Sequence, residues 1–139
     1  MAEPVGLASG IFAFLEATRR SISLIRSIKH APDELIALSN EVADLQLLLT
    51  DAEALDRESN LARKTTETMT VLLVRARIKL DWLDSFVQSV LGADPSLRTE
   101  TVKRRVQWAI GKKRRAHELL AALREVRQNI ASALGLRNA

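Results

Sequence analysis

Apolar residues recur along this chain at intervals of three and four, in long runs that predict helices rather than strands. In the first run, Ile11, Leu15, Ile22 and Ile25 fall on one helix face. The second is stricter: Leu35, Leu38, Val42, Leu45, Leu49 and Ala52 keep a/d spacing, the pattern of a knobs-into-holes seam, while its other face carries Asn40, Glu41, Asp44, Asp51 and Glu53, which read as solvated. The third run is apolar on two faces, one carrying Met69, Leu72, Leu73, Ala76, Leu80, Leu83, Val87 and Val90, the other Val71, Val74, Ile78 and Trp82. In the last, Val102, Val106, Ala109 and Ile110 share one stripe, and Leu119, Leu123, Val126, Ile130 and Leu134 share another. The two stripes lie about 100° apart and meet at Gly111, where a glycine inside a helix costs about 1 kcal/mol and invites a bend.

Breaks between the runs fall where helix ends are expected. Pro32, with Asp33 and Glu34 behind it, suits a helix start, because proline lacks the N–H that would go unpaired there and the acids complement the helix dipole. Asp56 to Asn60 and Gly92 to Pro95 interrupt the pattern and supply caps, Ser96 among them. The expected fold is an all-α, antiparallel four-helix bundle with helices at about 5–29, 32–56, 61–91 and 96–136, the last bent or broken near Gly111, in a single domain over 1–139. Three Phe, two Trp and no Tyr argue against a β-sandwich and against a base-stacking surface for RNA.

A helix that is apolar all round its middle wants two neighbours. Either the first and fourth helices cover one side of the third each, or Val71, Ile78 and Trp82 form a surface for self-association.

Charge is unevenly spread, and this changes the picture. Residues 1–97 hold ten Lys/Arg against fourteen Asp/Glu, whereas residues 98–139 hold eleven against three, so an acidic second helix can lie beside a basic fourth one. Seven bases crowd into thirteen residues: Lys103, Arg104, Arg105, Lys112, Lys113, Arg114 and Arg115. They read as a solvated ring facing the acidic helix, as a nucleic-acid patch, or as a contact for anionic lipid or an acidic partner. No helix-turn-helix pattern or aromatic interleaving accompanies them, so sequence-specific nucleic acid is not an expected partner.

Catalytic chemistry is thin. His30 and His117 are 87 positions apart and neither belongs to an H-E-x-x-H motif; there is no cysteine, no G-x-S-x-G elbow, and Val106 stands where a phosphate loop before Gly111-Lys112-Lys113 would need its first glycine. Asp81 and Asp84 read as solvated helix acids. No enzyme activity, cofactor or metal site is expected.

The N-terminal segment offers a different possibility. Val5 to Leu15 is uncharged, lacks a basic leader, and at eleven residues is too short to span a bilayer, which takes about 20. Ala2 excludes myristoylation, and a soluble product is expected. Val5, Leu7, Ile11, Phe12, Phe14 and Leu15 are the candidate membrane-engaging residues. Phe12 and Phe14 are expected to point away from the Ile11/Leu15 line, and Gly6 and Gly10 to allow close helix approach.

Ala2-Glu3-Pro4-Val5-Gly6-Leu7-Ala8-Ser9-Gly10-Ile11, the seam around Leu45-Gln46-Leu47-Leu48-Leu49, and Trp108-Ala109-Ile110-Gly111-Lys112-Lys113 with Glu118-Leu119-Leu120 and Leu123 through Leu136 together resemble the fungal HeLo-like N-terminal domain. Domains of that kind head NLR-like STAND receptors, and they are distantly similar to the four-helix domain of the mixed lineage kinase domain-like pseudokinase and to the coiled-coil domain of plant resistance proteins. The resemblance implies a cell-death or heterokaryon-incompatibility effector, cytoplasmic until activated, then clustered and moved to the plasma membrane. Implied partners are further copies of itself, anionic membrane lipids and other helical effector domains. Leu80-Asp81-Trp82-Leu83-Asp84 matches the acidic E-D-V-I-D box of the plant domains only at its two aspartates. The ATPase and repeats of a receptor are not in this chain, which makes it a receptor fragment or a stand-alone relative. The alternative function is a passive adaptor that docks another helical domain through the third helix.

Overall fold

A computed structural model describes residues 3–28, 31–58, 61–92 and 111–135, with side chains described from residue 7 and excluding 91 and 92. Among these residues there are four helices and no strand: α1 (Glu3–Arg26), α2 (Asp33–Arg57), α3 (Arg63–Gly92) and α4 (Lys113–Ala133). Pro32 caps α2 rather than opening it, its carbonyl accepting from Leu35 and Ile36 N–H at 3.0 and 3.2 Å. Residues 111 and 112 wind as a wide π-type turn, so the regular helix starts just beyond Gly111. Residues 93–110, which hold the Val102–Ile110 stripe, lie outside the described residues. At its far end α4 stops before Gly135, which takes a φ of 79°, the left-handed conformation glycine adopts without a Cβ clash.

Packing makes the chain an all-α four-helix bundle. Neighbouring pairs are α1 with α2, α1 with α3, α2 with α4 and α3 with α4, so α2 and α3 occupy diagonal corners. Gly10 abuts Leu73 and Ser21 reaches Asp84, eleven residues further along both helices; α1 and α3 therefore run parallel. Glu34 meets Lys113 while Glu41 meets Arg124 and Arg127, so α2 and α4 also run parallel. The short α1–α2 connection forces antiparallel packing there. Direction alternates helix by helix along the chain, and the α2–α3 connection crosses the end of the bundle.

All six residues of the α2 seam are fully buried. So are Leu7, Ile11 and Ile25 of α1, Met69, Ala76, Leu80 and Leu83 of α3, and Leu119, Leu123 and Ile130 of α4, which close one continuous core.

Candidate interaction site

Both neighbours expected for α3 are present, but neither covers its second face. A corner helix touches two partners on its inner half and leaves its outer half in solvent. Hence α1 and α4 bury the Met69–Val90 stripe, while Val71, Val74, Ile78 and Trp82 stay 51%, 61%, 47% and 42% exposed. Two cations approach the Trp82 ring, Lys79 Nζ at 4.0 Å and Arg115 Cζ at 5.8 Å from its centroid. The result is an apolar ridge bordered by positive charge on its α4 side.

The N-terminal candidates are divided. Leu7, Ile11, Phe14 and Leu15 are buried, whereas Phe12 is 61% exposed. The expectation that both phenylalanines point outward is corrected: positions two apart on a helix differ by about 200°, and Phe14 lies with Ile11 and Leu7 at spacings of three and seven. Val5 lies within α1, but its side chain is outside the described residues. Among the described residues no helix is long and apolar enough to cross a membrane.

Four of the seven bases of the cluster can be located. Lys103, Arg104 and Arg105 lie outside the described residues; Lys112 to Arg115 form the start of α4. Lys113 Nζ is 3.7 Å from Glu34, Arg114 and Arg115 reach Glu118 at 3.7 and 3.4 Å, and His117 Nε2 stands 3.9 Å from Glu34. Four bases at a helix N-terminus oppose the helix dipole, so these acids offset an unfavourable local field.

Two polar ties were not foreseen. Glu41, expected on the solvated face of α2, is 5% exposed and bonds Arg127 Nε, with Arg124 Nε 3.6 Å from its other oxygen. This carboxylate raises the Arg127 pKa above the ordinary arginine value, chiefly through the hydrogen bond. Asp84, also read as solvated, accepts at 2.5 Å from Ser21 Oγ, whose single proton goes to the carboxylate rather than to the Ala17 carbonyl at 3.1 Å. A signal for Glu41 exists in the sequence: it flanks the seam, three after Leu38 and four before Leu45, and Arg124 and Arg127 share one edge of the last helix. Asp81 pairs on the surface with Arg77 at 3.2 Å.

Among the described residues no group of three or more potential ligands could hold a metal ion. The surface features are an exposed apolar ridge on α3 and a basic start to α4, while the charged ties join helices within the bundle. Comparisons with protein families, characterised proteins and solved structures find no match to this chain.

Proposed function

We propose that this domain is a signalling module that works by self-association through the outer face of α3, and that it serves as the N-terminal effector of a fungal NLR-like receptor, with anionic membrane as its target once clustered. The observation that carries this reading is the exposure of Val71, Val74, Ile78 and Trp82 on a helix whose core stripe is already filled. These side chains lie outside the buried core and are each about half exposed, and an apolar ridge in water favours association.

Burial of α1 gives the module a latent state. Leu7, Ile11, Phe14 and Leu15, at about 1.5–3 kcal/mol each for full burial, hold about 6–12 kcal/mol, comparable with the 5–15 kcal/mol that stabilises a whole domain. An isolated copy therefore keeps α1 in its core. Membrane engagement requires clustered copies and a lipid surface that re-buries the same apolar area. The segment is shorter than a single span, so insertion would be partial and shared between copies. In the cell this corresponds to a cytoplasmic resting form that moves to the plasma membrane.

The adaptor reading takes its support from the same burial, since only Phe12 of the described N-terminal candidates is exposed at rest. Sedimentation of the chain, with and without Ile78→Ser/Trp82→Ser, and dye release from phosphatidylserine vesicles by a version fused to an oligomeriser separate the readings. The effector reading expects association that the double variant loses while staying helical, and leakage only on clustering. Association without leakage selects the adaptor; a chain that stays monomeric at all concentrations removes both.

A further inference from the structure

The α3 ridge has a counterpart on the opposite side of the bundle. On α2, Ile36 and Leu47 are 46% and 68% exposed, and Asp33, Asp44 and Asp51 are exposed beside them. At 100° per residue, Ile36 and Leu47 lie within about 20° of one another and the three aspartates form a row about 40–80° to one side. On α3, Val71, Val74, Ile78 and Trp82 span about 80°, and Arg75 and Lys79 form a row about 60–100° from Ile78 on the side of the same rotational sense. Both faces thus have an apolar centre with one edge of net charge, acidic on α2 and basic on α3; the other edge of α3 carries Arg77 and Asp81, which neutralise each other as an ion pair.

The handedness of these edges fixes how they can meet. When two right-handed helices face each other in parallel, edges of the same rotational sense end up on opposite sides; when antiparallel, they end up on the same side. Acid meets base only in the antiparallel arrangement. That is also the relative direction of α2 and α3 within one chain, and the two helices stand at diagonal corners with their outer faces turned away from each other. A second copy displaced along that diagonal, with little rotation, therefore presents its α2 face to the first copy's α3 face in the required direction.

We infer that the occupant of the α3 ridge is the α2 face of another copy, giving a head-to-tail contact that leaves one free α3 face and one free α2 face at the ends of every assembly. Such a contact is heterologous and does not close on two copies, so it grows into open chains. Two helix faces with few large side chains bury less than the 1,200–2,000 Å² of standard stable interfaces, roughly speaking, so the contact is weak between free copies. Tethering copies at high local concentration strengthens it without any new contact. The inference rests on the proposed self-association and adds the partner surface, the polarity and the open end.

The test uses two exposed substitutions in the 139-residue chain. Leu47→Lys sets a cation on α2 against the basic edge, and Ile78→Glu sets an anion on α3 against the acidic edge. Each variant alone should lose self-association more than tenfold at low salt while its thermal midpoint and helicity stay near wild type. Because each retains one intact face, an equimolar mixture should form a one-to-one pair and stop there, whereas wild type grows beyond dimers and is weakened by salt. If Leu47→Lys proves less stable, Asp51→Lys, at an exposed polar position, replaces it. A Leu47→Lys or Asp51→Lys chain that associates as well as wild type while Ile78→Glu does not would show α3 pairing with α3; this overturns the head-to-tail contact but keeps the proposed function. A mixture that stays monomeric while wild type associates overturns the inference too. Wild type that never associates overturns both.

Discussion

Leu73 Cδ1 lies 3.6 Å from where a Cβ on Gly10 would stand, an ordinary contact distance rather than a clash. The α1–α3 approach within one copy therefore does not depend on the glycine. Gly10→Ala should raise stability by about 0.5–1 kcal/mol, the helix-propensity difference, read as a higher urea midpoint with an unchanged slope. A fall in stability would mean that Leu73 cannot accommodate the methyl group.

Removing one partner of the Glu41–Arg127 tie is predicted to be asymmetric. Arg127→Ala leaves a 5% exposed carboxylate with only Arg124, whose side chain is 57% exposed, and should cost about 2–4 kcal/mol. Glu41→Gln leaves Arg127 with access to water and should cost less, about 1–2 kcal/mol. Replacing both by methionine should recover most of the loss, which a double-mutant cycle by chemical denaturation measures. The sign of the pH dependence follows from the raised Arg127 pKa: its stabilisation is fully present below the unfolded value and disappears only as pH rises through the still higher folded value, in strong alkali.

Neutralising part of the basic helix start should separate binding from folding. Lys112→Gln with Arg114→Gln removes two charges that oppose the α4 dipole, at the loss of one exposed i,i+4 pair to Glu118. The thermal midpoint should stay within a few degrees. At about 1 kcal/mol per base near an anionic surface, flotation with phosphatidylserine vesicles should weaken by roughly 30-fold. Unchanged flotation would place lipid binding elsewhere or nowhere on this chain.

Helix positions and the core were legible because burial leaves a periodic trace: the six seam residues of α2 were read from spacing alone, and all are buried. The two faces of α3 were equally legible, but not which of them is covered. That depends on the corner a helix occupies, a property of the whole arrangement. Phe14 was misplaced because Phe12 and Phe14 were put on one side of the helix, although positions two apart differ by about 200°. Glu41 and Asp84 were misplaced for a different reason: a single acid beside an apolar stripe reads as solvated until its cation or hydroxyl donor arrives from a helix 63 or 86 residues away. The first three bases of the basic cluster and the Val102–Ile110 stripe fall outside the described residues.

Leucine seams tolerate sliding, because one heptad of displacement, about 10.5 Å, brings leucine against leucine again. The buried carboxylate does not tolerate it. Moving α4 by seven residues relative to α2 would replace Arg127 by Leu120 or Leu134 and leave Glu41 desolvated against a hydrocarbon side chain. Sliding α3 along α1 by one heptad would set Ser21 opposite Arg77 or Leu91 instead of Asp84. The two polar ties lie on the two parallel helix pairs, where no short connection fixes how far one helix has advanced past the other. They act as register pins, selecting one alignment among several that the apolar pattern alone would accept.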